Sequence, residues 1–183
     1  MAAADLQSGS FEQLAMPLFD QLYNFAHWLT QNPDEAEDLV QETYVKALRG
    51  FSSFQIGTNF RAWMYRILRN TFLTSRTGLK VTVPIDPESD GSELVEIQTP
   101  ETLAIDRSNS QLLQRAMDDL PVHFCEVLLM CEVEEMSYQE ISEALSVPIG
   151  TVMSRLSRAR KALRERVRKD FAVRSDSTAA ING

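Results

Sequence analysis

Ser137-Tyr-Gln-Glu-Ile-Ser-Glu-Ala-Leu-Ser-Val-Pro-Ile-Gly-Thr-Val-Met-Ser-Arg-Leu156 is the stretch on which the fold turns. Ser137 can cap a short helix, and Glu140, three residues on, completes a capping box. Ile141, Ala144 and Leu145 supply one apolar face of that helix. Ser146-Val147 makes a tight turn, with Val147 filling the angle between two helices. Pro148 then opens a second helix at a position that needs no backbone N–H. Val152, Leu156, Ala159 and Leu163 recur at helical spacing along it. Two short helices joined by such a turn are a helix-turn-helix.

With those four residues turned inward, the opposite face of the second helix is expected to carry Thr151, Ser154, Arg155, Arg158 and Lys161. Small polar residues at the start of a helix, followed by Arg, suit entry into a DNA major groove. Arg can bond both acceptors of guanine, and Lys or Arg further along can hold phosphates. The competing reading is a basic amphipathic helix that only packs, which leaves the turn chemistry around Val147 and Pro148 unexplained.

Upstream of this motif the chain is also helical. Phe11, Leu14, Leu18, Leu22, Phe25 and Leu29 are in helical phase. Asn32-Pro33-Asp34-Glu35 starts another helix, with Asn32 as N-cap, Pro33 at the first turn and Glu35 placed for a capping box. Its apolar face runs through Ala36, Leu39, Val40, Ala47 and Leu48 to Gly50. After a loop over Phe51–Thr58, a helix over about 59–75 has Phe60, Met64, Ile67 and Leu68 for burial. Residues 78–100 hold Pro84, Pro87, Gly91 and Pro100 among Asp, Glu and Ser, the composition of a linker. Beyond it, Leu112, Leu113, Ala116 and Leu120 are in phase, Pro121 interrupts, and Phe124, Val127, Leu128 and Cys131 form the next stripe.

The expected fold is therefore all-α: two small helical domains joined by an acidic flexible linker. The expected divisions are a disordered start over 1–10, one module over 11–77, the linker over 78–107, the helix-turn-helix module over 108–170 and a disordered tail over 171–183.

Among 183 residues the formal charge is −8, and its distribution says more than its total. Met1–Glu42 holds eight acids and no Lys or Arg, while Thr43–Ile85 holds seven bases and no acid. Asp86–Glu143 holds fifteen acids against two bases, and the remainder nine bases against three acids. Charges act over a Debye length of about 8 Å at physiological salt, so local sign matters more than net charge. Two basic blocks fit two surfaces for a polyanion, or two solvated faces.

Other function classes find no support. No phosphate-cradling loop, nucleophile elbow or HExxH motif is present. Cys125 and Cys131, with His123 nearby, lack a zinc spacing and a fourth ligand, so no metal or cofactor is expected. They read as reduced thiols on an apolar helical face. The carboxylates read as lying on exposed faces or in the linker. No apolar run spans a bilayer and no signal sequence is visible, so the expected location is the cytoplasm.

Two separate motifs carry a family resemblance. Ser137–Ile141 followed by Pro148–Arg160 resembles region 4 of extracytoplasmic-function (ECF, group 4) sigma factors, the smallest type in the sigma-70 family. Asn32–Ala47 resembles region 2.2, and Phe60–Thr71 resembles regions 2.3 and 2.4. The resemblance covers about residues 11–77 and 108–169, and it is nearest to members that answer oxidative and heat stress. It implies a non-enzymatic bacterial transcription factor that binds core RNA polymerase and directs promoter-specific initiation.

Residue by residue, the resemblance implies that Asp38, Leu39, Gln41, Glu42 and Lys46 dock on the clamp helices of the polymerase large subunit. Arg61, Trp63, Tyr65, Arg66, Arg69 and Asn70 would bind and melt the −10 element, although Trp63 also reads as core. Thr151, Ser154, Arg155, Arg158 and Lys161 would bind the −35 element. The linker, through Asp86, Glu88, Asp90, Glu93 and Glu96, would mimic nucleic-acid charge in the polymerase cleft. The polymerase flap, promoter DNA and an anti-sigma factor, zinc-binding or membrane-linked, are the implied partners of a chain that is monomeric when free. The alternative is a sigma-like decoy that titrates an anti-sigma factor without binding DNA. An ordinary dimeric regulator would need a dimerisation heptad or ligand domain, and neither is seen.

Overall fold

The computed structural model describes residues 10–77 and 107–179. The acidic linker and the outermost ends of the two expected disordered tails lie outside the described residues. Every regular element among the described residues is helical.

A helical stretch over residues 10–15 (α1) is cut by Pro17, which starts a 3-10 turn, Met16–Leu18, in place of the continuous helix that the periodicity suggests. Proline cannot donate the hydrogen bond a helix interior requires. Helix α2, Phe19–Thr30, follows and ends on Gln31 in the left-handed region at φ 57°. Helix α3, Pro33–Gly50, is capped as expected, Asn32 accepting from the backbone N–H groups of Asp34 and Glu35. Glu35 does not reach back to the cap. Its carboxylate meets Arg76 at 3.2 Å instead.

Helix α4, Phe60–Thr77, is capped by Asn59, whose Oδ1 accepts from the Ala62 N–H at 2.9 Å. Phe11, Phe51 and Phe60 pack edge to face and tie α1, the 3-10 turn Phe51–Ser53 and α4 together. Leu22, Phe25, Val40, Met64, Tyr65 and Leu68 fill the centre of this first module. Each such side chain contributes about 1.5–3 kcal/mol when fully withdrawn from water.

In the second module, α5 spans Arg107–Asp118 and α6 spans Val122–Leu128. A π turn, Leu129–Val133, continues α6 directly, its wide hydrogen bond running from the Glu134 N–H to the Leu129 carbonyl at 3.0 Å. Nothing in the apolar spacing of residues 124–131 signals this turn. Helix α7, Tyr138–Leu145, carries the full capping box, Ser137 accepting from the Glu140 N–H while Glu140 accepts from the Ser137 N–H. Ser146 turns the chain at φ 55°. Helix α8 then runs from Ile149 to Ala179, past the point where the tail was expected to begin. Ile141, Ala144, Leu145, Val152, Leu156 and Ala159 close the helix-turn-helix core.

The two modules pack directly on each other, chiefly α4 against α7, with α2 touching α6. Trp28 and Leu29 from one side and Met117, Leu120, Val122, Cys125 and Leu129 from the other line a shallow groove at this seam.

Candidate nucleic-acid interface

The outer face of α8 is where the helix-turn-helix reading puts DNA. Arg158 and Lys161 are exposed there, with Met153 and Ser157 beside them and Arg164 and Arg168 further along. Thr151 and Ser154 are half-buried at the helix start, where the Ser154 hydroxyl donates to the Thr151 carbonyl at 3.1 Å. Arg155 departs from the expectation. It is 5% exposed and turned inward, where its charge acts on Glu126. The geometry explains this: residue 155 lies three after Val152 and four before Ala159, so it borders the buried stripe.

Helix α4 departs further. Of the six residues expected to meet the −10 element, Asn70 alone is exposed. The Arg61 guanidinium donates to the Glu134 carbonyl at 2.6 Å and lies 3.5 Å from the Glu134 carboxylate. Tyr65 is fully buried against Phe25, and its hydroxyl donates to Glu134 Oε2 at 2.7 Å. Burial and the neighbouring carboxylate hold the Tyr65 phenol well above its usual range. Arg66 Nε donates to the Glu143 carbonyl at 3.1 Å, one of the acceptors left over in the last turn of α7. Arg69, 6% exposed, makes a 2.9 Å ion pair with Glu126, which is itself fully buried. Asn59 adds a bond to Glu140 Oε1 at 3.0 Å. Trp63 is half-buried among Phe54 and Phe60, in line with its reading as core.

Carboxylates thus hold much of this seam, which corrects the expectation that they sit on open faces. Glu126 stands alone among Phe124-Cys125-Glu-Val-Leu-Leu-Met130. A single acid in an apolar run is the signal that was available, because a buried charge requires a partner. Burial drives the Glu126 carboxyl above its usual range, opposed by Arg69 and Arg155. Glu134 is raised by burial too, with Tyr65 and Arg61 opposing. The π turn delivers Glu134 to α4: widening the helix by one residue re-aims the side chain that follows. Arg160 anchors the same turn through Glu132 at 2.6 Å.

On α3, Asp38, Gln41, Glu42 and Lys46 are exposed, and Lys46 pairs with Glu42 at 2.7 Å and reaches Thr71 at 3.2 Å. Leu39 is buried instead, under a groove that it lines with Asp38, Glu42, Phe72 and Arg76. Cys125 donates its thiol to the Met117 carbonyl at 3.1 Å, and burial raises its pKa to about 11. Among the described residues no cluster of His, Cys, Asp and Glu is arranged to hold a metal ion. No described helix is long and apolar enough to cross a membrane.

Fold and site together define a two-module helical protein with a helix-turn-helix and a cationic outer helix face. Comparison with known proteins narrows the class. The chain matches the family model described as Sigma-70 region 2 over residues 14–80 and that described as Sigma-70, region 4 over residues 110–163. It is 36% identical over 176 residues to ECF RNA polymerase sigma factor SigE of Mycolicibacterium smegmatis, covering 91% of this chain and 68% of that protein. It is 31% identical to ECF RNA polymerase sigma factor SigW of Bacillus subtilis, covering 81% and 84%. Among solved structures it resembles the sigma factor RpoE in complex with the anti-sigma factor NepR from Bartonella quintana, with TM-score 0.66, 32% identity and 87% of this chain covered. The fold also matches CnrH in complex with the cytosolic domain of CnrY, at TM-score 0.66 and 22% identity over 92% of this chain. The chain belongs to the ECF sigma factors of the sigma-70 family, and it is an alternative sigma factor. The family consists of non-enzymatic transcription initiation factors.

Proposed function

We propose that this sigma factor binds core RNA polymerase in the cytoplasm through the exposed acids and Gln41 of α3, with Leu39 supporting that surface from beneath. An acidic helix face suits a basic partner and speeds its capture. Helix α4 then reads and opens the −10 element, Asn70 taking the edge of an extruded base while Arg61, Arg66 and Arg69 hold phosphates once α7 has moved away. Holding unstacked bases offsets the few kcal/mol that each opened step costs. Helix α8 enters the −35 major groove with Thr151, Ser154, Arg158 and Lys161, and Arg155 joins them only if it turns outward. The chain has no catalytic role of its own.

The observation that carries this reading is the solvent-facing row Arg158, Lys161 and Arg164 on a helix that begins at a capped helix-turn-helix. A decoy that merely titrates a partner has no need of that row. Regulation by an anti-sigma factor is supported by the similarity to RpoE, solved in complex with the anti-sigma factor NepR. Run-off transcription with core polymerase on a randomised promoter library tests the proposal. Enrichment of one paired −35/−10 sequence is expected, and failure of the chain to co-elute with core polymerase in gel filtration rejects it.

A further inference from the structure

The outer face of α8 is not wholly polar. Ile149 and Met153 are 45% and 49% exposed, one turn apart at the start of the helix. A single exposed apolar side chain is ordinary, but residues four apart on a helix are neighbours, so these two form one apolar spot. Gly150 and Ser157 border it, both exposed, and Lys161 and Arg164 continue along the same side of the helix. Gly150 supplies a second observation. A Cβ placed there meets no atom of the chain within 4 Å, and its φ is not positive. Neither packing nor backbone conformation therefore asks for glycine, which is a poor helix former. Glycine also serves where a backbone must come close to a ligand.

From this we infer that Met153 and Ile149 read thymine methyl groups in the major groove of the −35 element, with Gly150 as the clearance that lets the helix come close. The inference rests on the −35 role proposed for α8 and sharpens it. Thymine alone among the four bases presents a methyl group in the major groove, and apolar side chains recognise it by contact. The neighbouring residues do not supply that discrimination. Ser and Thr hydroxyls bond donors and acceptors of either base pair, and the Ser154 hydroxyl is already given to the Thr151 carbonyl. Cations on phosphates fix position without reading sequence. Those same cations, Lys161 and Arg164, make a polyanion the fitting occupant of this face. Ile149 and Met153 lie about 6 Å apart along the helix axis. Base pairs follow one another at about 3.4 Å, so the two side chains meet methyl groups one or two steps apart.

The test uses the full chain bound to core polymerase, on the promoter enriched from the randomised library, with each thymine of the −35 element replaced in turn by deoxyuridine. That exchange removes the methyl and leaves every hydrogen-bonding group in place. Affinity should fall about fourfold at one or two positions, the effect of one methyl group. In Met153→Ala or Ile149→Ala the thymine promoter should bind that much more weakly, and the matching deoxyuridine penalty should vanish. Val133→Ala trims an exposed apolar side chain outside α8 and should keep the penalty. Gly150→Ala should leave the melting temperature unchanged or higher and weaken binding to every −35 sequence. A −35 element without thymine, no deoxyuridine penalty, a penalty that survives in both variants, or full affinity in Gly150→Ala overturns the inference and leaves the role of α8 standing. Weaker binding of Met153→Ala to core polymerase, with the penalty intact, assigns the spot to a protein and overturns it too. If the library yields no −35 preference at all, the role of α8 fails and the inference with it.

Discussion

Two helices of this protein are basic, and they meet opposite fates. On α8 the cations Arg158, Lys161 and Arg164 face water, while on α4 the cations Arg61, Arg66 and Arg69 face the other module. In sequence the two blocks look alike, each a run of Arg at helical spacing. What separates them is the complement: Glu126 of α6 and Glu134 after the π turn pair with Arg69 and Arg61, whereas Arg158, Lys161 and Arg164 lie exposed on α8. A charge block therefore announces a surface for anions without saying whether the anion comes from outside or from the same chain.

The largest effect expected on this contrast comes from Arg69→Ala. It strands Glu126 without its closest partner, and losing one member of a buried pair costs about 3–5 kcal/mol. Urea unfolding followed by tryptophan fluorescence should show the loss. Replacing both partners, Arg69→Met with Glu126→Leu, should recover most of it. If the double variant is as unstable as the single one, the pair is not what joins the modules there.

Arg158→Ala should act chiefly on binding. Affinity for duplex DNA should fall, and the slope of its salt dependence should drop by about one if the contact is to phosphate. A cost of about 1–3 kcal/mol at one base position alone would make it a base contact instead. Arg155→Ala should show the reverse pattern, a stability loss with a smaller effect on DNA. Equal DNA defects in the two variants would mean that Arg155 turns outward on binding and that the inward pose is not its working one.

Smaller effects are expected at the helix-turn-helix cap. Ser137→Ala should cost about 1 kcal/mol in thermal or urea unfolding. Acid should reproduce part of this. Glu140 is held below the usual Glu range by the Ser137 N–H first and by Asn59 next. A depressed carboxyl contributes stability that is present above its unfolded-state pKa and is lost as pH falls through the folded value. Stability attributable to the cap should therefore be intact at neutral pH and decline only in acid below the ordinary Glu range. Glu140→Gln should flatten that decline.

The helices and their ends were legible because local chemistry sets them. Asn32, Ser137, Ser146 and Pro148 cap, turn or start helices in the manner their side chains dictate, and the structure places each accordingly. The resemblance to known motifs added the order of the modules. Two kinds of feature were not legible. The break at Pro17 was outweighed by an apolar period on both sides. The seam depends on contacts between residues that spacing cannot connect, so Tyr65 and Arg69 were expected to face DNA and Glu126 and Glu134 were passed over. Arg155 is the intermediate case, since the helical period alone puts it at the border of the buried stripe.

The salt link at Arg69 and Glu126 also sets how the closed molecule responds to heat. Withdrawing charges from water becomes less costly as temperature rises, whereas burial of apolar area gains little more per unit surface. A joint fastened by ions therefore slackens less on warming than a greasy joint of the same extent.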